Sequence, residues 1–145
     1  MKRWFSLAAL VFVAITLVAQ TSDIPAFHSK PPAKGETQPP IWGKEKLLSL
    51  GFNQPTQIHA YELASKIPNV LYQLPCYCRC DRAVGHTSLR SCFTDDHGAR
   101  CGTCMAEAYY AYKMTKAGKS PSQIRALIEK GEWQKIDPKS ELDMQ

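Results

Sequence analysis

The chain has 145 residues, of which 44% are hydrophobic and 21% are charged, and its formal net charge is +5. That length fits one small domain, and that composition excludes a fully disordered chain, a collagen-like chain and a multi-span membrane protein. The basic residues are scattered along the chain, which indicates a solvated surface and no nucleic-acid partner.

The N-terminal segment has the layout of a secretory signal. Lys2 and Arg3 precede an apolar run from Leu7 to Ala19, and polar residues follow. A helix that spans the bilayer needs about 20 apolar residues. We therefore predict a signal peptide over residues 1–19 and an exported protein of the periplasm or cell envelope. An uncleaved N-terminal anchor is the alternative, and it would be the only link to a membrane.

The rest of the chain divides by composition. Residues 20–41 are rich in proline and polar side chains, which predicts a disordered Pro-rich linker. A cysteine-rich helical domain is predicted over residues 42–137 and a C-terminal tail over residues 138–145.

The fold class is predicted to be all-α, because no segment alternates as a strand does. The domain is expected to be small, with about three helices around a cysteine-rich loop. Proline, capping and glycine signals predict one helix from Pro55 to just before Pro68, one from near Asp96 or Arg100 to Ala117, and one after the capping box Ser120–Gln123 up to Gly131.

All six cysteines lie between positions 76 and 104, with the spacing C-x-C-x-C-x11-C-x8-C-x2-C, and two histidines lie in the same window. The candidate metal ligands are Cys76, Cys78, Cys80, Cys92, Cys101, Cys104, His86 and His97. Thiolates from an extended C-x-C-x-C segment and from one helical turn are the donors that zinc and monovalent copper prefer. The pattern favours a soft-metal site with zinc or copper as the bound ion and partner. An envelope protein is a further candidate partner.

Two other functions compete with metal binding. Cys101 and Cys104 form a CxxC at a helix N-terminus, which is typical of thiol–disulfide redox chemistry. The structural alternative is a disulfide-stapled interaction module, although three cysteines at alternate positions are crowded for three bridges. Redox exchange by Cys101 and Cys104 would make the protein an oxidoreductase; otherwise no catalytic residue is predicted.

Charged residues near the cysteines add two expectations. Four arginines, and no lysine, fall within the cysteine window, and cations beside sulfur would favour thiolates; these are Arg79, Arg82, Arg90 and Arg100. Glu107 follows Cys104 on the predicted helix, and a solvated glutamate is favoured there over a proton carrier beside a metal-bound water.

The segment PCYCRC at positions 75–80 resembles the signature of a bacterial family of exported proteins and lipoproteins named for a PCYCGC or CYCXC motif. The similarity continues through residues 85–89 and Cys92 to residues 97–104, and it covers roughly residues 55–133. Arg79 stands where the family name has glycine, and the lipoprotein cysteine is missing, so lipid anchoring is not carried over.

The resemblance implies little about activity, because the family has no settled one. Some relatives are described as carrying selenocysteine in place of a cysteine, which favours a reactive or metal-binding role. The six cysteines, His86 and His97 all fall on the family pattern, and no catalytic assignment comes with it.

Overall fold

The computed structural model describes residues 23–144, so the predicted signal peptide lies outside the described residues. Within residues 23–144 there are seven α-helices, two short 3-10 helices and no strand. The α-helices are α1 (Lys44–Ser49), α2 (Pro55–Lys66), α3 (Pro68–Leu71), α4 (Cys80–Ala83), α5 (His97–Arg100), α6 (Gly102–Lys116) and α7 (Pro121–Glu129). The 3-10 helices are Leu89–Phe93 and Glu132–Lys135. The prediction of a small all-α domain is confirmed.

The three predicted helices are α2, α6 and α7. Helix α7 follows its local code closely, since Ser120 and Gln123 form the reciprocal capping box and Pro121 is the first helical residue. The remaining helices have only four to six residues each. Such short helices depend on tertiary packing rather than on their own propensity, so sequence signals define them poorly.

Helix α6 is the centre of the domain. Residues 106–112 are all buried, so this helix is covered around its whole circumference and not along a single stripe. Helix α2 packs on one side with Tyr61 and Ala64, and α7 packs on another with Ile124 and Ile128. The cysteines at the start of α6 are therefore fixed to the most deeply buried element of the fold.

Residues 23–41 have no helix or strand, as a proline-rich segment would predict, but they lie against the helical domain. Asp23 forms two ion pairs of 2.7 Å, with Arg79 and with Arg82. Pro25 is fully buried, and the His28 ring stacks on Tyr72 with 3.8 Å between the ring centroids. We call residues 23–28 the strap. Its partners are distant in sequence, so composition alone did not reveal the docking.

No helix in the part of the chain that the structure describes is long and apolar enough to cross a bilayer.

Candidate metal centre

The C-x-C-x-C loop is delivered to the core by the chain that follows α3. Cys76 and Cys80 are buried, while Cys78 is half-buried. Arg79 has a φ of 64°, and this left-handed turn leads directly into α4. The loop is held to α6 by the Tyr77 N–H, which donates a hydrogen bond of 2.9 Å to the Glu107 carboxylate.

The six cysteines are free thiols, and their sulfurs form one cluster. The Sγ of Cys76 lies 3.3 Å from the Sγ of Cys78 and 3.4 Å from that of Cys104, while Cys80 and Cys92 are 3.4 Å apart. Four ligands at about 2.3 Å from a tetrahedral zinc ion are separated by about 3.8 Å. The sulfurs are thus spaced close to the edges of a metal tetrahedron, in one cluster and not in three separate pairs.

Both histidines of the window face this cluster. His97 Nε2 is 3.4 Å from the Cys78 sulfur, and His86 Nδ1 is 3.4 Å from the Cys92 sulfur. The two rings meet edge to face, with centroids 5.1 Å apart. The imidazole nitrogens are therefore directed among sulfur donors, the combination that suits zinc and monovalent copper.

Asp95 orients the ring of His86 and holds the backbone of His97. One carboxylate oxygen accepts a hydrogen bond of 2.9 Å from His86 Nε2, and the other accepts one of 2.8 Å from the His97 backbone N–H. A histidine whose second nitrogen donates to a carboxylate is the usual arrangement around a protein-bound metal. Sequence reasoning missed Asp95, because an aspartate in a turn-rich loop carries no local signal of this role.

The Asp95 loop is held in turn by α2. The Tyr61 hydroxyl donates a hydrogen bond of 2.6 Å to the Asp95 backbone carbonyl and accepts one of 3.2 Å from the Ala99 N–H. A Cβ on Gly98 would lie only 2.7 Å from the Cys92 carbonyl oxygen. Only glycine therefore allows α5 to pass this close to the 3-10 helix Leu89–Phe93. The close approach brings His97 beside His86.

The sulfurs cannot all ionise together, because like charges at these distances repel. Hydrogen bonds with Cys101, Cys104 and Cys76 hold the pKa of the Cys78 thiol below its usual range. The hydrogen bonds that Cys76 makes with Cys104 and Cys78 raise the pKa of its own thiol. Complete deprotonation of the cluster thus requires added positive charge, which a bound metal ion supplies.

His86 supplies part of that charge in the metal-free protein. Its hydrogen bond with Cys92, followed by that with Asp95, raises the pKa of the His86 imidazole to about 9. The pKa of the Cys92 thiol is lowered, chiefly by hydrogen bonds with Cys104 and Cys76. Cys92 and His86 therefore form a thiolate–imidazolium pair near neutral pH, and the Nδ1 proton must leave before that nitrogen can bind a metal.

Glu107 contradicts the expectation of a solvated helix glutamate. Its side chain is fully buried, and desolvation raises the pKa of its carboxyl to about 8. One carboxylate oxygen accepts from the Tyr77 N–H, while the other is buried without a hydrogen-bond partner among the described residues. Its position on α6, one turn after Cys104, places it under the C-x-C-x-C loop and not in solvent.

The four arginines of the window also differ from the expectation. Their guanidinium groups hydrogen-bond to oxygen atoms and not to sulfur: Arg79 and Arg82 bind Asp23, Arg90 binds the Pro39 carbonyl and Arg100 binds Asp96. These arginines stabilise the strap and the surrounding loops, so they are not the cations that balance the thiolates.

All eight residues predicted as metal ligands meet in this centre. Each belongs to at least one group of three or four whose donor atoms lie within 4.8 Å of one another. The groups of four are Cys78, His97, Cys101 and Cys104, and Cys80, His86, Cys92 and His97. The centre could hold a metal ion, and its sulfur and nitrogen donors fit a soft one.

The comparisons with known proteins give a family and no activity. A family model described as a protein of unknown function with PCYCGC motif matches residues 9–136. Neither a curated protein nor a solved structure matches the chain.

Proposed function

We propose that this protein, which belongs to the PCYCGC motif family of unknown function, binds soft metal ions. The ion would be zinc or monovalent copper, held by clustered thiolates and imidazoles. The protein would buffer, sense or deliver that metal in the periplasm or cell envelope, with an envelope protein as the partner in delivery.

One observation carries this proposal. The donor atoms of Cys78, His97, Cys101 and Cys104 lie within 4.8 Å of one another and come from three separate elements of the fold. Cys101 is the N-cap of α6, and Cys104 is in its first turn. A tetrahedral set of three thiolates and one imidazole is a common protein site for zinc.

Partial exposure of this group supports exchange of the ion over a purely structural role. Cys78, His97 and Cys101 are half-buried, while Cys104 is fully buried. A ligand set that reaches the surface can be attacked by a competing thiolate from a partner protein. Such ligand exchange is the route by which a metal can be handed over without entering solvent.

Thiol–disulfide exchange by Cys101 and Cys104 is the rival function. The half-exposed Cys101 at a helix N-terminus favours that chemistry. The crowding of four further sulfurs and two imidazoles around this pair is unnecessary for exchange and useful for a metal. A disulfide-stapled module is supported less, because the sulfurs form one cluster.

Metal content and free thiols, measured together, test the proposal. We would purify the protein from its exporting host without chelator and measure zinc and copper by elemental mass spectrometry. Bound zinc or copper, with thiols that react only after denaturation and chelation, is the expected result. Protein without metal and without free thiols would overturn the proposal, and easy reduction of Cys101 and Cys104 would then point to redox exchange.

A pair of neighbouring substitutions tests the site itself. Asp95→Asn removes the carboxylate that orients His86, so we expect a loss of metal affinity of about 10- to 100-fold in competition titrations. Asp96→Asn is the matched control, because Asp96 pairs with the exposed Arg100. Equal affinities for the two variants would contradict the role assigned to Asp95 in orienting His86.

A further inference from the structure

We infer that the centre holds two metal ions, an outer ion that exchanges and an inner ion that is retained. The inference rests on the proposed function and adds its stoichiometry and a division of roles. The outer position has the donors Cys78, His97, Cys101 and Cys104. The inner position has the donors Cys76, Cys80, His86 and Cys92.

The number of donors is the first argument. Eight soft donors converge here, and a tetrahedral ion uses four of them. If the outer group alone bound an ion, three further thiols and an imidazole would stay packed around that ion without any ligand role. Two four-coordinate ions use every donor in the centre.

The contacts of each donor divide the eight between the two positions. His97 belongs to both groups of four, but its Nε2 is 3.4 Å from Cys78, which assigns it to the outer position. Cys80 and Cys92 are 3.4 Å apart, and His86 Nδ1 is the same distance from Cys92. These three donors form the inner position and need a fourth ligand.

Cys76 is the donor that completes the inner position. Its sulfur touches the outer sulfurs, 3.3 Å from Cys78 and 3.4 Å from Cys104, and it is also within 4.8 Å of Cys80 and Cys92. It therefore lies between the two positions, where a thiolate can bind the inner ion and stand next to the outer one. Because the outer ion already has four donors, Cys76 is the one remaining thiol that can serve as the fourth inner ligand.

Charge favours a pair of divalent ions. Six metal-bound thiolates carry six negative charges. Two divalent ions neutralise four of the thiolate charges, whereas two monovalent ions neutralise two. An uncompensated charge is expensive in a buried site, so zinc-like divalent ions fit this donor set better than monovalent copper.

The surroundings of the two positions differ. The sulfurs of the inner position are at most 2% exposed, and Pro25 and Ala26 of the strap close over Cys76, Cys80 and His86. The outer position is reached through the half-buried Cys78, His97 and Cys101. A chelator can therefore attack the outer ion directly, whereas the inner ion requires the strap to move first.

The experiment loads the reduced full chain with zinc under nitrogen and counts the bound ions by native mass spectrometry during a challenge with EDTA. We expect two zinc ions per chain, one lost at least about tenfold faster than the other, a ratio that corresponds to about 1.4 kcal/mol in barrier height. Cys101→Ser should bind one ion, which leaves at the slow rate. Thr103→Ala, in the same turn but at a residue without a thiol or imidazole, should behave like the parent protein.

Each contrary result has a distinct meaning. One zinc ion in the parent protein overturns the two-ion centre and leaves the proposed function standing, while no bound metal overturns both. Two ions that leave together, or Cys101→Ser protein that loses both, overturn the division of roles. Binding of two copper(I) ions with no zinc overturns the preference for divalent ions. Cys92→Ser is the matching variant of the inner position and should lose the slowly released ion. If it does not fold, the count of zinc ions on the parent protein still decides the stoichiometry.

Discussion

Arg79 stands in a backbone conformation that suits glycine, the residue that the family motif has at this position. Its φ of 64° costs an L-amino acid about 1–2 kcal/mol relative to the right-handed region. The Arg79 side chain forms an ion pair with Asp23 of the strap. The side chain thus ties the strap to the C-x-C-x-C loop at the expense of backbone strain.

Two substitutions of Arg79 separate these effects. Arg79→Gly and Arg79→Ala both remove the guanidinium, but only glycine relieves the left-handed strain. We expect the glycine variant to be more stable than the alanine variant by about 1 kcal/mol in denaturant unfolding. Equal stability would show that the turn relaxes to another conformation when the arginine is removed.

Glu107 makes the stability of the metal-free protein depend on pH. The unfolded carboxyl titrates near 4.5 and the folded one near 8. Between these values the unfolded chain has released a proton that the folded carboxyl retains, so the contribution of Glu107 to the free energy of unfolding falls as pH rises. Glu107→Gln should remove this loss, which amounts to roughly 4 kcal/mol by pH 7.5.

The measurement is denaturant unfolding of the reduced, metal-free protein from pH 4.5 to 7.5. Glu62→Gln, at an exposed position of α2, is the control and should keep the slope of the parent protein. If Glu107→Gln keeps that slope as well, the buried carboxyl is not its source.

At the residue scale the sequence predicts the candidate metal ligands better than the acidic residues that hold those ligands in place. The spacing of cysteines and histidines pointed to all eight residues that meet in the centre, because packing alone does not require so many thiols and imidazoles in one short window. Asp95 was not identified and Glu107 was expected to be solvated, since an aspartate in a loop and a glutamate on a helix usually face solvent. Only tertiary packing brings one beside His86 and buries the other under Tyr77.

The strap is the element whose role is most easily tested. Asp23→Asn removes both ion pairs, with Arg79 and with Arg82, and leaves every metal donor in place. We expect slow zinc loss to accelerate about three- to fivefold, because the strap opens more often, with unchanged zinc stoichiometry. Release of the outer ion should keep its rate.

Glu132→Gln is the matched control for the strap. It removes another exposed ion pair, with Lys135, in the C-terminal 3-10 helix. That variant should release both ions at the parental rates. If Asp23→Asn does the same, the two ion pairs do not keep the strap closed.

Element prediction succeeded where the signal is local. The capping box, the first-turn proline and the apolar spacing of α7 lie within a few residues of one another, and they specify the helix without its partners. The strap shows the opposite case. Its prolines correctly predict irregular backbone, but its docking depends on Arg79, Arg82 and Tyr72, which lie more than 40 positions away.

For the whole molecule, metal removal should weaken the fold. The inner donors join the C-x-C-x-C loop to the 3-10 helix Leu89–Phe93 and to the loop that carries His86. Binding of the ion is therefore linked to folding. At free zinc of about 1,000 times the dissociation constant, one site adds about 4 kcal/mol to the free energy of unfolding. Thermal unfolding of loaded and EDTA-treated protein checks this, and a matching midpoint for both would contradict a structural role.

The strap contacts join residues that are far apart in the chain. Asp23 and Arg82 are 59 positions apart, as are His28 and Thr87. Contacts that close such long loops form late in folding, because the entropy of closure is lost before they are made. The helices can therefore pack while Cys76 and Cys80 are still open to solvent. The topology thus favours an order of assembly in which the inner sulfurs meet their ion first and the N-terminal residues seal them afterwards.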